Sequence, residues 1–446
     1  MAPDTTDLPP AGPLLAAVVA NRSGDIYELD GYAAVGMAAG LYRPLPAADT
    51  RPMPHGSELM RLPDRQPVVY NLQTRSLEVL AEDPFAPGEP IFPVAVFNSP
   101  GYVVTRISAF EDTAETTPLP LFSYGAVGWH QNGFQSAVRR VDAEPRQDLR
   151  QMPMEKILAG VRRMQKRMPK NRLRQHLEHC ALTYGCPAGK NFFLGRYEAP
   201  LPTSRHCNAR CRGCISLQAR SGIHASQDRI TFTPTPAEIA EIALTHIERV
   251  KHAVVSFGQG CEGDPLFAAD VIQPAIARIR KQTARGTINM NTNASRPDIL
   301  AALFDAGLDS IRVSLNSFRP AAYKAYFRPR DYQFTDVIRS IETALTRHRF
   351  VAINYLNCPG VTDTPEELAA ITRFIKQYPV HMIQWRNLNF DPRQYWRIMS
   401  DTAPAGPPLG VTRLLKTLRH RFPDLRHGYF NPPRETWPRG DRTVLA

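Results

Sequence analysis

Three cysteines within eight residues constrain this chain more than any other feature: Cys207-Asn-Ala-Arg-Cys211-Arg-Gly-Cys214. Three thiols at that spacing point to one shared metal centre. A 4Fe–4S cube takes four thiolates, one per iron, so three of them leave one iron open to another ligand. An open iron means chemistry at the cluster rather than plain electron storage. No fourth cysteine stands nearby, and the C-x2-C-x2-C run of ferredoxins is absent. Zinc is the alternative reading, but zinc sites usually pair two C-x2-C units or add paired histidines. His206 sits beside the loop and completes no such pattern.

Length and charge bound the setting of that centre. A chain of 446 residues has room for about two or three domains with a sizeable core. Met1–Pro13 carries no basic residue, and the apolar run Leu14–Ala20 is short, so neither a secretory signal nor a membrane span is expected. Seven cysteines, an odd number, with no export signal fit the reducing cytoplasm. The net charge of +12 suits an anionic partner such as RNA, a nucleotide or a phosphorylated substrate. The densest basic run, Val161–Gln175, holds no acid and also reads as a solvated helical face.

Periodicity divides the chain. Residues 1–150 read as a β-rich domain, with strands at Val68–Leu72, Ile91–Asn98, Tyr102–Ile107 and Tyr124–Trp129. Residues 151–195 read as a basic helical linker. Ile157, Val161 and Met164 recur at helical spacing, Pro169 breaks the run, and a second helix covers Arg172–Tyr184. Residues 196–390 alternate. Helices Pro236–Val250, Ala268–Gln282, Pro297–Asp305, Phe334–Arg347 and Pro365–Gln377 precede strands Ala253–Phe257, Thr287–Asn291, Ser310–Leu315, Val351–Leu356 and His381–Asn387. With one strand before the cysteines, this is an α/β fold, a partial (β/α)6 TIM-type barrel. Polar residues gather at the strands' C-terminal ends, where barrel enzymes place their sites. Residues 391–446 form a C-terminal extension with a helix at Val411–Arg421, expected to cover the barrel mouth.

These residues together resemble the radical S-adenosylmethionine (radical SAM) superfamily over about Pro200–Asn389. The cysteine spacing is that superfamily's signature, and it follows the first barrel strand as the family's does. The resemblance implies that Cys207, Cys211 and Cys214 hold a 4Fe–4S cluster whose open iron binds S-adenosyl-L-methionine. One electron then splits the sulfonium, and a 5′-deoxyadenosyl radical starts chemistry on a substrate the sequence does not name. It also implies cofactor contacts at Gly263 and Asp264, in Gly258-Gln-Gly-Cys-Glu-Gly-Asp-Pro265, the counterpart of the family's Gly-Gly-Glu-Pro. Asn291 and Asn293 resemble the family's Thr-Asn-Gly end, and Ser314 and Asn316 its ribose-binding end. Gly213 departs from the family, which often has an aromatic residue there against adenine. The adenine contact is then expected from the backbone or from Asn357–Gly360 or Gln384–Asn387. A one-electron reductant of flavodoxin or ferredoxin type is the implied partner.

Other residues have competing readings. Cys261 lies in the loop expected beside the methionine end of the cofactor, as a candidate catalytic hydrogen donor or nucleophile, or as a packed loop cysteine. Cys180, Cys186, Cys261 and Cys358 are enough in number for a second cluster, but their spacing fits no such motif. Arg386 at a strand end suits an anionic group. Tyr323, Tyr326 and Tyr332 with Lys324, Arg328 and Arg330 suit either nucleobase stacking or helix packing. An RNA- or peptide-modifying radical SAM enzyme is one alternative, and a non-catalytic iron–sulfur or zinc protein the other.

Overall fold

The computed structural model describes residues 12–218 and 222–438. Most of the Met1–Pro13 leader lies outside the described residues. Among them, no helix is long and apolar enough to cross a membrane.

The alternating segment folds as a parallel sheet. Its strands are β1 (Glu198–Pro200), β2 (Val254–Phe257), β3 (Thr287–Thr292), β4 (Ser310–Leu315), β5 (Phe350–Asn357), β6 (Met382–Asn387) and β7 (Arg426–Gly428). They pair in chain order, and β1 and β7 are the two edges, so the barrel is partial. The six expected strands are present, and β7 adds a seventh that carries no apolar pattern. Before β1 come helices α1 (Met154–Arg167), α2 (Arg172–Leu182) and α3 (Pro187–Leu194). The outer layer is α4 (Pro236–Arg249), α5 (Ala269–Gln282), α6 (Pro297–Ala306), α7 (Pro320–Phe327), α8 (Phe334–Thr346) and α9 (Pro365–Gln377), followed by α10 (Pro392–Thr402) and α11 (Val411–Arg421).

Local chemistry sets these boundaries. Thr235 caps α4 by accepting the Glu238 N–H, and Glu238 accepts the Thr235 N–H in return, a capping box. Thr364 caps α9 by accepting the Glu367 N–H, with Pro365 at the first helical position. The Gly307 residue after α6 has φ 114°, a turn that a side chain would strain.

Strand alternation splits the barrel's two faces. Ile288, Met290, Ile311, Val313, Ile353, Ile383 and Trp385 are buried in the core shared with the helices. The other face is polar: Asn289, Asn291, Ser310, Arg312, Ser314, Asn354, Gln384 and Arg386 alternate with them. A barrel interior is normally filled by branched apolar side chains. The lumen of this barrel is lined instead by polar side chains that hydrogen-bond to one another, as Asn289 does to Asn291 and Ser310 to Asn289.

The two ends of the lumen are closed by different parts of the chain. The β-rich segment forms a sheet of 12 described strands, in which the long strand Ile26–Ala38 pairs with four others. Its strand Tyr102–Val104 lies on the C-terminal ends of β5 and β6. Asn357 Nδ2 donates to the Val104 carbonyl (2.9 Å), and Asn387 Nδ2 to that of Tyr102 (2.9 Å). Arg393 of α10 reaches back to Glu111 (2.8 Å). The last part of the C-terminal extension, after α11, goes to the opposite end. The Arg434 N–H donates to Thr287, the first residue of β3, and Trp437 stacks on Phe350, the first of β5. The expectation that the extension covers the mouth is therefore corrected for its last part: α10 stays at the mouth end, beside Glu111 and Pro359, while the chain after β7 crosses the strands' starting ends.

The basic run Val161–Gln175 is partly paired. Arg167 meets Glu248, Arg172 meets Glu238, and Arg174 meets Glu178. Arg162, Arg163, Lys166 and Lys170 stay exposed on the surface.

Candidate active site

The cysteine loop follows β1 and is held by backbone contacts on both flanks. The Arg210 N–H donates to the Phe327 carbonyl (3.0 Å), the Arg212 N–H to that of Tyr326 (3.1 Å), and the Arg330 N–H to that of Asn208 (3.0 Å). The loop thus leans on the end of α7. Cys207, Cys211 and Cys214 are free thiols, each half-buried. Arg229 reaches the Cys214 sulfur at 3.6 Å, and the Ala209 N–H donates to the Cys207 sulfur at 3.4 Å. Burial pushes the Cys207 thiol up to about 12. A thiolate there requires a cation as partner.

The loop after β2 packs directly against the start of the cysteine loop. The Gly263 N–H donates to the Ser204 carbonyl (2.6 Å) and the Asp264 N–H to that of His206 (2.8 Å). A Cβ on Gly263 would lie 2.0 Å from the His206 carbonyl oxygen, so only glycine permits the approach. The carboxylates of this loop face inward. Glu262, where the family has a glycine, accepts the N–H groups of Thr203, Ser204, Gly258 and Gln259 and the Thr203 hydroxyl. Burial pushes its carboxyl up to about 7 against the pull of those donors. Asp264 accepts the Leu266 N–H, the Thr292 hydroxyl and the Asn293 N–H. Its carboxylate binds the loop to the end of β3, and only the loop's backbone is left to face a ligand.

The other predicted residues fall into two groups. Asn293 donates to Asn208 Oδ1 at 2.8 Å, inside the cysteine loop, and Asn291 Nδ2 donates to the Gly258 carbonyl at 3.0 Å. Gly263, Asp264, Asn291 and Asn293 thus form one hydrogen-bonded frame under the cysteines. Ser314 stands apart in the lumen, accepting from Asn354 at 3.4 Å. Asn316 is fully buried and turns to α7 and α10, donating to the Ala322 carbonyl and the Tyr395 hydroxyl. Its Oδ1 has no partner.

Gly213 has a spatial explanation. An added Cβ would lie 2.7 Å from both the Tyr326 hydroxyl and the Asn389 carbonyl, with Phe390 next to them. Tyr326 and Phe390 occupy the space an aromatic side chain at 213 would need. The reading of Tyr323, Tyr326 and Tyr332 as a stacking surface for bases is corrected. All three are buried, and the Tyr323 and Tyr332 hydroxyls meet at 3.0 Å. Of the alternative adenine contacts, Asn357 and Asn387 already bind the Tyr102–Val104 strand, and Gln384 is bound to Arg312 and Asn431.

Two arginines share the lumen, and only one of them, Arg386, was singled out from the sequence. Arg312 of β4 donates to Gln384 at 3.1 Å, while its Nε has no partner. Arg386 of β6 lies over the Tyr429 ring, 3.3 Å from its centroid, and its Nη1 has no partner. Neither makes an ion pair among the described residues. Burial and the neighbouring Arg386 guanidinium push Arg312 down to about 9. Arg312 had a legible signal: in Ser310-Ile-Arg-Val-Ser-Leu315 it shares a face with Ser310 and Ser314.

Cys261 is not open to the lumen. It is buried, and its sulfur lies with Cys180 and His176 of α2. Cys358 is buried elsewhere, beside the Pro359 carbonyl. Among the described residues, the one His/Cys/Asp/Glu trio whose ligand atoms all lie within 4.8 Å of one another is His176, Cys180 and Cys261.

The family comparison decides what this frame is. Residues 201–375 match the radical SAM superfamily. This chain carries a radical SAM domain. Its cofactors are a 4Fe–4S cluster and S-adenosyl-L-methionine. It is 29% identical to a GTP 3′,8-cyclase of Heliobacterium modesticaldum over 178 residues, covering 40% of this chain and 50% of that one. It is 30% identical to a probable GTP 3′,8-cyclase of Methanocaldococcus jannaschii over 182 residues, covering 39% and 56%. The chain thus spans about half the length of these relatives. Among solved structures, methylornithine synthase aligns at 15% identity with TM-score 0.38, covering 55% of this chain and 68% of that one.

Proposed function

We propose that this chain is a radical SAM enzyme in which Cys207, Cys211 and Cys214 hold the cluster and the lumen receives an anionic substrate. The carrying observation is the placement of three half-buried thiols on the loop after β1, over a frame built from the loop after β2 and the end of β3. The donor set fits the group: three free thiols on one loop, and a glycine that brings the backbone after β2 against it. When bound, the cluster and S-adenosyl-L-methionine supply an electron and a carbon radical that takes hydrogen from substrate. The chain's own residues do the rest. The Glu262 and Asp264 hydrogen bonds fix the backbone of 258–264 so that its free polar groups are presented to the cofactor. The Tyr102–Val104 strand restricts water at the mouth, which protects a radical from side reactions. Arg312 and Arg386 orient substrate through its anionic group.

Exposed Arg205 and Arg210 beside the cysteine loop suit an acidic one-electron donor of flavodoxin or ferredoxin type. Two relatives are named for GTP, so a nucleoside triphosphate is the first substrate class to test. RNA has less support, since none of these relatives is named for RNA. The test is spectroscopic. Anaerobic reconstitution should give about four irons per chain and a reduced-cluster signal that changes when S-adenosyl-L-methionine is added. A Cys207→Ala, Cys211→Ala, Cys214→Ala chain that retains the iron would sink the assignment.

A further inference from the structure

Beyond the radical site, we infer that His176, Cys180 and Cys261 form a second metal site that takes a single zinc-type cation. The three come from segments far apart in sequence. His176 and Cys180 are one turn apart on α2, and so on one helical face. Cys261 sits in the loop after β2, between Gly258 and Asp264. The fold brings their ligand atoms to within 4.8 Å of one another. His176 Nε2 and Cys180 Sγ are 3.5 Å apart. A tetrahedral zinc with bonds of about 2.0 Å to nitrogen and 2.3 Å to sulfur places such a pair about 3.5 Å apart. Cys180 and Cys261 are buried, so no water network replaces a metal there at low cost.

The chemistry of the donors agrees. Cys180 is pulled down to about 5 by hydrogen bonds from Cys261 and His176. Cation binding displaces the Cys261 thiol proton, and two thiolates with a neutral imidazole then balance the two positive charges. Cys186 lies close in the chain: its N–H donates to the Cys180 carbonyl at 3.0 Å, and its side chain is half-buried. Either Cys186 or water completes the fourth position. The site would clamp α2 to the loop whose residues 263 and 264 hold the start of the cysteine loop. It is a structural site, independent of whether the radical centre turns over.

The experiment uses the full chain with Cys207, Cys211 and Cys214 changed to alanine, so that the proposed cluster contributes no iron. Grown with added zinc, this chain should carry about one zinc per molecule, and cobalt in its place should give a thiolate-to-cobalt charge-transfer band. Cys180→Ser and Cys261→Ser should each reduce zinc to less than about a tenth of that. Zinc-free parent chain, zinc unchanged in either serine variant, or a Cys180–Cys261 disulfide found by mass spectrometry of the anaerobic protein would each overturn the site. If the serine variants are insoluble, the cobalt band of the parent decides: its absence overturns the site, and its presence supports it.

Discussion

The two walls of the barrel handle buried charge in opposite ways. On the β2–β3 side, Glu262 and Asp264 are saturated by donors of their own chain. On the β4–β6 side, Arg312 and Arg386 keep N–H groups without partners and make no ion pair among the described residues. A saturated buried charge holds a structure in place, while an unsaturated one is costly unless a ligand completes it. The difference separates frame from receptor within one lumen.

Substitutions can break that comparison. The largest effect is expected for Glu262→Gln. Each carboxylate oxygen accepts at least two donors, and an amide NH2 would turn donors against donors. The loss should be on the order of 3–5 kcal/mol in denaturant unfolding, since several buried N–H groups lose their acceptor. A variant within about 0.5 kcal/mol of the parent would show that the loop is not part of the frame.

Arg312→Ala and Arg386→Ala should behave the other way. Each should leave the unfolding midpoint unchanged or raised, because an uncompensated buried charge is removed. Affinity for the anionic substrate should fall about 10- to 100-fold, as expected for losing a charged hydrogen bond. Lower stability with unchanged substrate affinity would make these arginines part of the frame. Asn431→Ala tests the floor. Asn431 donates to Glu198 (2.7 Å) and accepts from Gln384 (3.0 Å), so a loss of about 1–2 kcal/mol is expected, with substrate affinity kept.

The smallest effect lies outside the lumen. Arg172 holds the Glu238 carboxyl down at about 2, from an ordinary 4.5. A depressed carboxyl contributes stability above its ordinary pKa and loses it as pH falls toward the folded value. Arg172→Ala should therefore cost under about 1 kcal/mol at neutral pH, given the pair's exposure. The gap should close between pH 4.5 and 2. A gap independent of pH would assign the effect to packing.

Much of the barrel was legible because its outer faces carry helix and strand periods without interruption. Strand Ser310–Leu315 and helix Pro365–Gln377 are read from the sequence with the bounds they have in the fold. Arg426–Gly428 was not legible, since three polar or small residues become a strand only through their neighbour β6. The cysteine triplet is a local motif and could be read directly. The roles of Glu262 and Asp264 could not, because their donors come from other segments, Thr203–Ser204 and Thr292–Asn293. The meeting of Cys180 with Cys261 was hidden for the same reason. The β-rich segment gave strand positions but no topology, since its long strand Ile26–Ala38 pairs with segments spread over the first 110 residues.

The most direct test of the central claim is product analysis. Reconstituted protein, reduced anaerobically and given S-adenosyl-L-methionine, should release 5′-deoxyadenosine, and the chain lacking Cys207, Cys211 and Cys214 should release none. A protein carrying its full cluster that yields no 5′-deoxyadenosine, with or without nucleoside triphosphates, would contradict the account.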